Sequence, residues 1–123
     1  MSKIAEELTD AQVEELVEAL GELERSLRQH LEASRASAAP VTLDQTSVGR
    51  LSRMDAMQGQ QMAAANRRVA RLRLDRAAAA LKAAENDEYG YCRACEEPIG
   101  YPRLRAQPET PFCLACQGRR ERR

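Results

Sequence analysis

Residues 9–31 read TDAQVEELVEALGELERSLRQHL, and within them Val13, Leu16, Leu20, Leu23, Leu27 and Leu31 recur at steps of three and four. That spacing puts one apolar stripe on a helix and has the period of a coiled coil. Thr9-Asp10-Ala11-Gln12 has the form of a capping box, in which the Thr hydroxyl and the Gln side chain satisfy amides at a helix start. The helix is expected to lose definition over residues 34–39 and to stop before Pro40, because a proline disfavours helical geometry in the residue before it. The fold therefore turns on what this stripe packs against.

The answer expected from the sequence is a second helix from about Asp44 to about Ala84, opened by another capping-box match, Thr42-Leu43-Asp44-Gln45. It would be about 60 Å long at about 1.5 Å per residue, too long for a compact globule of this size. A short connection makes the two helices antiparallel. With the turn near residue 41, paired residue numbers add to about 81 or 82, which sets Val13 against Val69, Leu16 against Ala65, Leu20 against Met62, Leu27 against Met54, Leu31 against Leu51 and Ser34 against Val48. The same register brings Glu6 near Arg76, Asp10 near Arg71, Glu14 near Arg67 and Glu32 near Arg50, and places Gly21 opposite Gly59 or Gln60. Met54, Met57 and Met62 read as packing in this seam, and His30 as a flank residue.

Composition agrees with long helices in close contact. The chain has 123 residues and is 43% hydrophobic, but 21 of those residues are alanine, and the four aromatics, Tyr89, Tyr91, Tyr101 and Phe112, all lie beyond residue 88. Alanine favours helix and buries little area, so a thick core is not expected. The 19 basic and 19 acidic residues cancel, which argues against binding by general attraction to nucleic acid or anionic membrane. Residues 1–39 carry net −5 and residues 40–86 net +4, so the two arms look like electrostatic partners. No apolar run is long enough to cross a bilayer, and residues 1–12 are too charged for a signal peptide, so a cytoplasmic setting is expected.

The strongest chemical signal is Cys92-x-x-Cys95, then seventeen intervening residues, then Cys113-x-x-Cys116. A tight turn within each pair can bring two thiolates to one ion, and two such turns complete tetrahedral zinc. A redox pair needs a strand leading into a helix around its Cys-x-x-Cys, and Pro98, Gly100, Pro102, Pro108 and Pro111 instead mark residues 96–112 as loop or short hairpin. Four thiolates leave no position for water or substrate, so one structural zinc is expected, folding a segment too small to fold alone. The chain divides into a hairpin over 1–86 with its tip at about 37–49, a C4 finger over 87–118, and a basic tail over 119–123. It reads as mainly α: a long antiparallel two-helix coiled-coil hairpin with a small C-terminal C4 zinc finger. Neither an activated nucleophile, a phosphate loop nor a catalytic carboxylate pair is evident, so no enzyme activity is expected.

Tyr89-Gly90-Tyr91-Cys92-x-x-Cys95, then Ile99, Arg103-Leu104, Ala106, Pro108, Cys113-x-x-Cys116 and Gln117, resembles the C-terminal zinc finger of the DksA/TraR family, and the hairpin resembles that family's coiled coil. The resemblance implies a bacterial transcription regulator that binds RNA polymerase through its secondary channel, with the coiled-coil tip near the active site, some members acting with ppGpp. Members with full activity carry Asp-x-x-Asp-x-Ala at the tip; here the match is Asp44-x-x-Ser47-x-Gly49, followed by Arg50, and one carboxylate remains. Asp44, Ser47, Gly49 and Arg50 are the candidate partner-binding residues. A lone Asp44 is a poor magnesium site, so transcript cleavage is not expected. Glu96 stands where the family commonly has Gly, a change the turn is expected to tolerate. The implied protein is a monomer that binds neither membrane nor DNA directly. An alternative stays open: a docking or nucleic-acid-binding finger, using the arginines of 119–123, with the coiled coil as a spacer.

Overall fold

The computed structural model describes residues 5–35 and 50–122, and of residues 50–53 and 55 the backbone alone. It is mainly helical, in the order α1 (Asp10–Ala33), α2 (Arg50–Glu85), α3 (Tyr101–Ala106) and α4 (Leu114–Glu121). Helix α1 starts as its sequence demands: the Gln12 N–H donates to Thr9 Oγ1 at 3.1 Å, and the Thr9 N–H donates to Gln12 Oε1 at 2.9 Å. Its stripe is buried at Leu16, Leu20, Leu27 and Leu31. Ser34 caps the far end, its N–H donating to His30 O. The second capping-box match lies outside the described residues.

The helices pack, but not in the expected register. Leu27 and Leu31 share a cluster with Ala70 and Leu74, while Leu16 and Leu20 share another with Ala77, Ala80, Leu81, Ala83 and Ala84. Arg67 donates to Leu31 O and, at 2.7 Å, to Ser34 Oγ. Ser34 with Arg67 and Leu31 with Ala70 both add to 101, so α1 sits about 20 residues further toward the end of α2 than the number rule predicts. Val69 and the three methionines are consequently outside the seam: Met54, Met57, Met62, Val69 and Leu72 are all half-exposed or more. The side chain of Leu51 and all of Val48 lie outside what is described.

Of the expected ion pairs between the arms, Glu6–Arg76, Asp10–Arg71 and Glu14–Arg67 fail with the register, and the Arg50 side chain of the fourth, Glu32–Arg50, lies outside what is described. Among the described residues the salt bridges are Arg28–Glu24, Arg35–Glu32 and Arg73–Glu109, none of which joins α1 to α2. Gly59 is not opposite a neighbour either, since a Cβ there would meet nothing within 4 Å.

The reason lies at the base. Helix α2 runs directly into the cysteine-rich segment, and that segment buries the start of α1. Tyr89, Cys92, Ile99, Leu104 and Cys116 join Leu16, Leu20 and Ala77 in one cluster, with Leu8 packed against it. A Cβ on Gly90 would lie 2.9 Å from Leu8 Cδ1, and one on Gly100 would lie 2.9 Å from Ala5 Cβ. Both glycines have φ of +100°, a conformation side chains resist, so here glycine serves both backbone and close approach. Tyr91 Oη donates to Glu7 at 2.9 Å and Tyr101 Oη donates to Glu15. These contacts hold residues 5–16 level with the last turns of α2. Counting back from there, α1 ends beside Arg67, and α2 continues about 16 residues, roughly 25 Å, beyond it. No described helix is long and apolar enough to cross a membrane.

Candidate metal centre

Two short turns build the centre. In the first, Glu96 N–H donates to Cys92 O at 2.8 Å and Cys92 N–H donates to Glu97 O at 2.8 Å, closing the chain around Cys92–Cys95; Tyr91 and Pro98 form an isolated antiparallel bridge beneath it. Glu96 closes this turn in the left-handed region, at φ +66°. The turn tolerates Glu, as expected, at the backbone cost that a Gly would avoid. In the second, Cys113 is the N-cap of α4, and its Sγ accepts from the Cys116 N–H at 3.5 Å. The α4 helix was not expected from sequence, nor was α3, which begins at Tyr101 with Pro102 in its first turn, where a missing N–H costs nothing. Residues 96–112 are thus not simply loop, and Arg119 and Arg120 belong to a helix and not to a loose tail.

Hydrogen bonds to backbone carbonyls, from one backbone and two side-chain donors, sew the two turns together. Arg93 N–H donates to Pro111 O at 2.8 Å, Arg103 Nε to Phe112 O at 3.0 Å, and Tyr89 Oη to Pro108 O at 2.9 Å. Burial, and then the negative charge of Glu109, push the Tyr89 hydroxyl well above its usual range, so it stays a donor. Glu109 is itself buried against Arg73 of α2, Nε to Oε2 at 2.8 Å, while its Oε1 has no partner. Sequence reading did not single out Glu109, Leu8 or Ala5, because nothing in their local spacing marks them; the only hint was that every aromatic residue lies at this end.

The result is one cluster of four sulfurs, Cys92, Cys95, Cys113 and Cys116, with all Sγ atoms within 4.8 Å of one another. Cys95 Sγ and Cys113 Sγ are 3.8 Å apart, the edge length of a tetrahedron with metal–sulfur bonds of about 2.3 Å. The donor set is all thiol, which selects zinc over hard cations. Without a metal the four sulfurs crowd one another. Burial opposes the Cys92 thiolate, but the backbone N–H groups of Cys113, Cys95 and Ala94 outweigh it and bring Cys92 down to about 6. The Glu97 N–H favours the Cys95 thiolate, yet desolvation and the three neighbouring thiols prevail and hold Cys95 up at about 12. An ion of charge +2 removes that conflict.

Residues 87–122 match the prokaryotic dksA/traR C4-type zinc finger. This C-terminal segment is thus a zinc finger of the dksA/traR C4 type. Structural zinc is the cofactor of a DksA/TraR finger, and the four-sulfur cluster fits it. The chain is 44% identical over 39 residues to the RNA polymerase-binding transcription factor DksA of Haemophilus influenzae, covering 32% of this chain and 27% of that protein. It is 46% identical over 44 residues to the protein of the same name from Caulobacter vibrioides, covering 36% and 31%. The matched stretch thus spans less than a third of these relatives' lengths. Transcription factor DksA2 from Pseudomonas aeruginosa shares the fold at a TM-score of 0.68, with 22% identity, over 92% of this chain and 85% of that one. The sequence likeness to DksA/TraR proteins accordingly lies in the finger, and the fold likeness extends to the hairpin.

Of the other sequence-predicted site residues, Asp44, Ser47 and Gly49 lie outside the described residues, and Arg50 opens α2 with only its backbone described.

Proposed function

We propose that the protein regulates transcription by binding RNA polymerase, its coiled-coil arm entering the secondary channel with the tip near the active site. The observation that carries this reading is the finger, whose relatives at 44% and 46% identity are named RNA polymerase-binding transcription factors. The form of the molecule is consistent with it: a cross-braced base and an arm in which α2 outreaches α1 by about 16 residues. In this reading Cys92, Cys95, Cys113 and Cys116 hold one structural zinc, and Asp44, Ser47, Gly49 and Arg50 form the contact surface at the tip. The protein is a cytoplasmic monomer without enzyme activity, and ppGpp is a candidate co-effector.

The alternative of a DNA-binding finger loses support at α4, where Arg119 donates to Cys116 Sγ and the Arg120 guanidinium lies 4.4 Å over the Phe112 ring. Retention of RNA polymerase on the immobilised full chain tests the proposal. Binding that Asp44→Asn weakens supports it; no retention, with salt-sensitive DNA binding lost on Arg119→Gln and Arg120→Gln, overturns it.

A further inference from the structure

The four sulfurs are not supported alike. Cys92 faces the backbone N–H groups of Ala94, Cys95 and Cys113, and Cys95 faces that of Glu97. Cys113 Sγ accepts from the Cys116 backbone. These donors belong to the two turns and persist whatever the side chains. Cys116 differs: its donor is the Arg119 guanidinium, Nη2 to Sγ at 3.1 Å, shorter than the 3.5 Å backbone bond to Cys113. Cys116 is also only 4% exposed, so water has little access to take that donor's place.

Arg119 is set there by the helix. It stands three residues after Cys116 in α4, the spacing that lays one side chain along the face of another. The neighbouring arginines are engaged elsewhere: Arg120 covers Phe112, and Arg122 Nε donates to Gly118 O at 3.3 Å. A zinc ion with four thiolates carries net charge −2, so a cation bonded to one sulfur offsets that charge and holds the ligand in place, as an outer partner of a metal ligand does.

We propose that Arg119 is the positioning residue of the metal centre, its guanidinium securing the Cys116 sulfur and thereby setting how firmly the finger retains zinc. This rests on zinc ligation by the four cysteines. The test uses the zinc-loaded full chain, comparing wild type with Arg119→Gln, Arg119→Lys and the control Arg120→Gln. Zinc transfer to a chromophoric chelator gives affinity and release rate, and iodoacetamide alkylation read by mass spectrometry gives the order in which the cysteines become reactive. Arg119→Gln should weaken zinc binding by about 10- to 100-fold, the usual effect of losing an outer partner of a ligand, with Cys116 the first cysteine alkylated. Arg119→Lys should recover most of the loss, and Arg120→Gln should remain near wild type. Equal retention in wild type and Arg119→Gln overturns the inference, as does an equal loss in Arg120→Gln, which would reflect net charge alone. Failure of the wild type itself to bind zinc would instead overturn ligation by the four cysteines.

Discussion

The base and the outer arm are made from the same helix, α2, yet are held by different physics. At the base, Ala77 is fully buried, and the finger adds Leu104 and Cys92 to the same cluster. Glycine close contacts and tyrosine–carboxylate bonds reinforce it. Further out, α2 presents Met54, Met57 and Met62, the last 67% exposed. Where the chain must be held, each residue has several partners; where it extends past α1, an apolar period alone does not secure burial. Periodicity states that a helix has an apolar face, and other parts of the molecule decide whether that face is used.

Metal removal should divide the regions most sharply. Structural zinc contributes on the order of 10 kcal/mol to folding a site of this type, so chelation, or Cys116→Ser, should abolish the ordered environment of the base tyrosines in near-ultraviolet circular dichroism. Helices in proteins draw most of their stability from tertiary packing, so α1–α2 pairing should weaken with it, seen as reduced helicity. Uptake must displace protons, since Cys95 is held up at about 12 while Cys92, at about 6, is already ionised near neutrality. Zinc affinity should therefore rise with pH and fall steeply on going from about pH 7.5 to 5.5, as competition titrations would show. Affinity independent of pH would mean that the four sulfurs do not bind the ion as thiolates.

Register is the next contrast to break. Leu27→Cys with Leu74→Cys should crosslink readily, and Leu20→Cys with Met62→Cys only at background, in zinc-loaded protein assayed by gel shift. The reverse pattern would restore the register expected from the number rule.

Truncations should differ by region. Leu104→Ala, at a fully buried position, should cost about 2–5 kcal/mol in denaturant unfolding, whereas Met62→Ala should stay within about 0.5 kcal/mol. Comparable costs would show that the outer arm is packed as tightly as the base. The smallest effect expected is at Glu96, where Glu96→Gly relieves the left-handed backbone and should stabilise the finger by about 1 kcal/mol. A loss of stability there would mean that the Glu side chain supports the turn.

Much of the centre was legible in residue order. The Cys-x-x-Cys pairs constrain geometry over four residues, a range in which covalent reach dominates, and their sulfurs lie together as expected. The start of α1 was legible for the same reason, since Thr9 and Gln12 satisfy each other locally. The support of the centre was less visible: Arg119 looked like part of a charged tail until α4 placed it beside Cys116. The register could not be read at all from a rule that assumes a short turn.

By itself, then, the sequence determined that there are two long helices, which face of α1 is apolar, and which four residues can share a metal. Each depends on interactions between residues a few positions apart. Tertiary structure decided which of the two apolar stripes of α2 is buried. They lie roughly 120° apart around the helix, the stripe of Met54, Met62 and Val69 and the stripe of Ala70, Leu74, Ala77 and Leu81. Both have helical spacing, and the larger side chains of the first would favour it on area alone. The second is buried because the finger holds residues 5–16 against the end of α2, and its small alanines let α1 approach there. That choice is set by contacts between residues some 80 positions apart, such as Glu7 with Tyr91 and Glu15 with Tyr101, to which no local period responds.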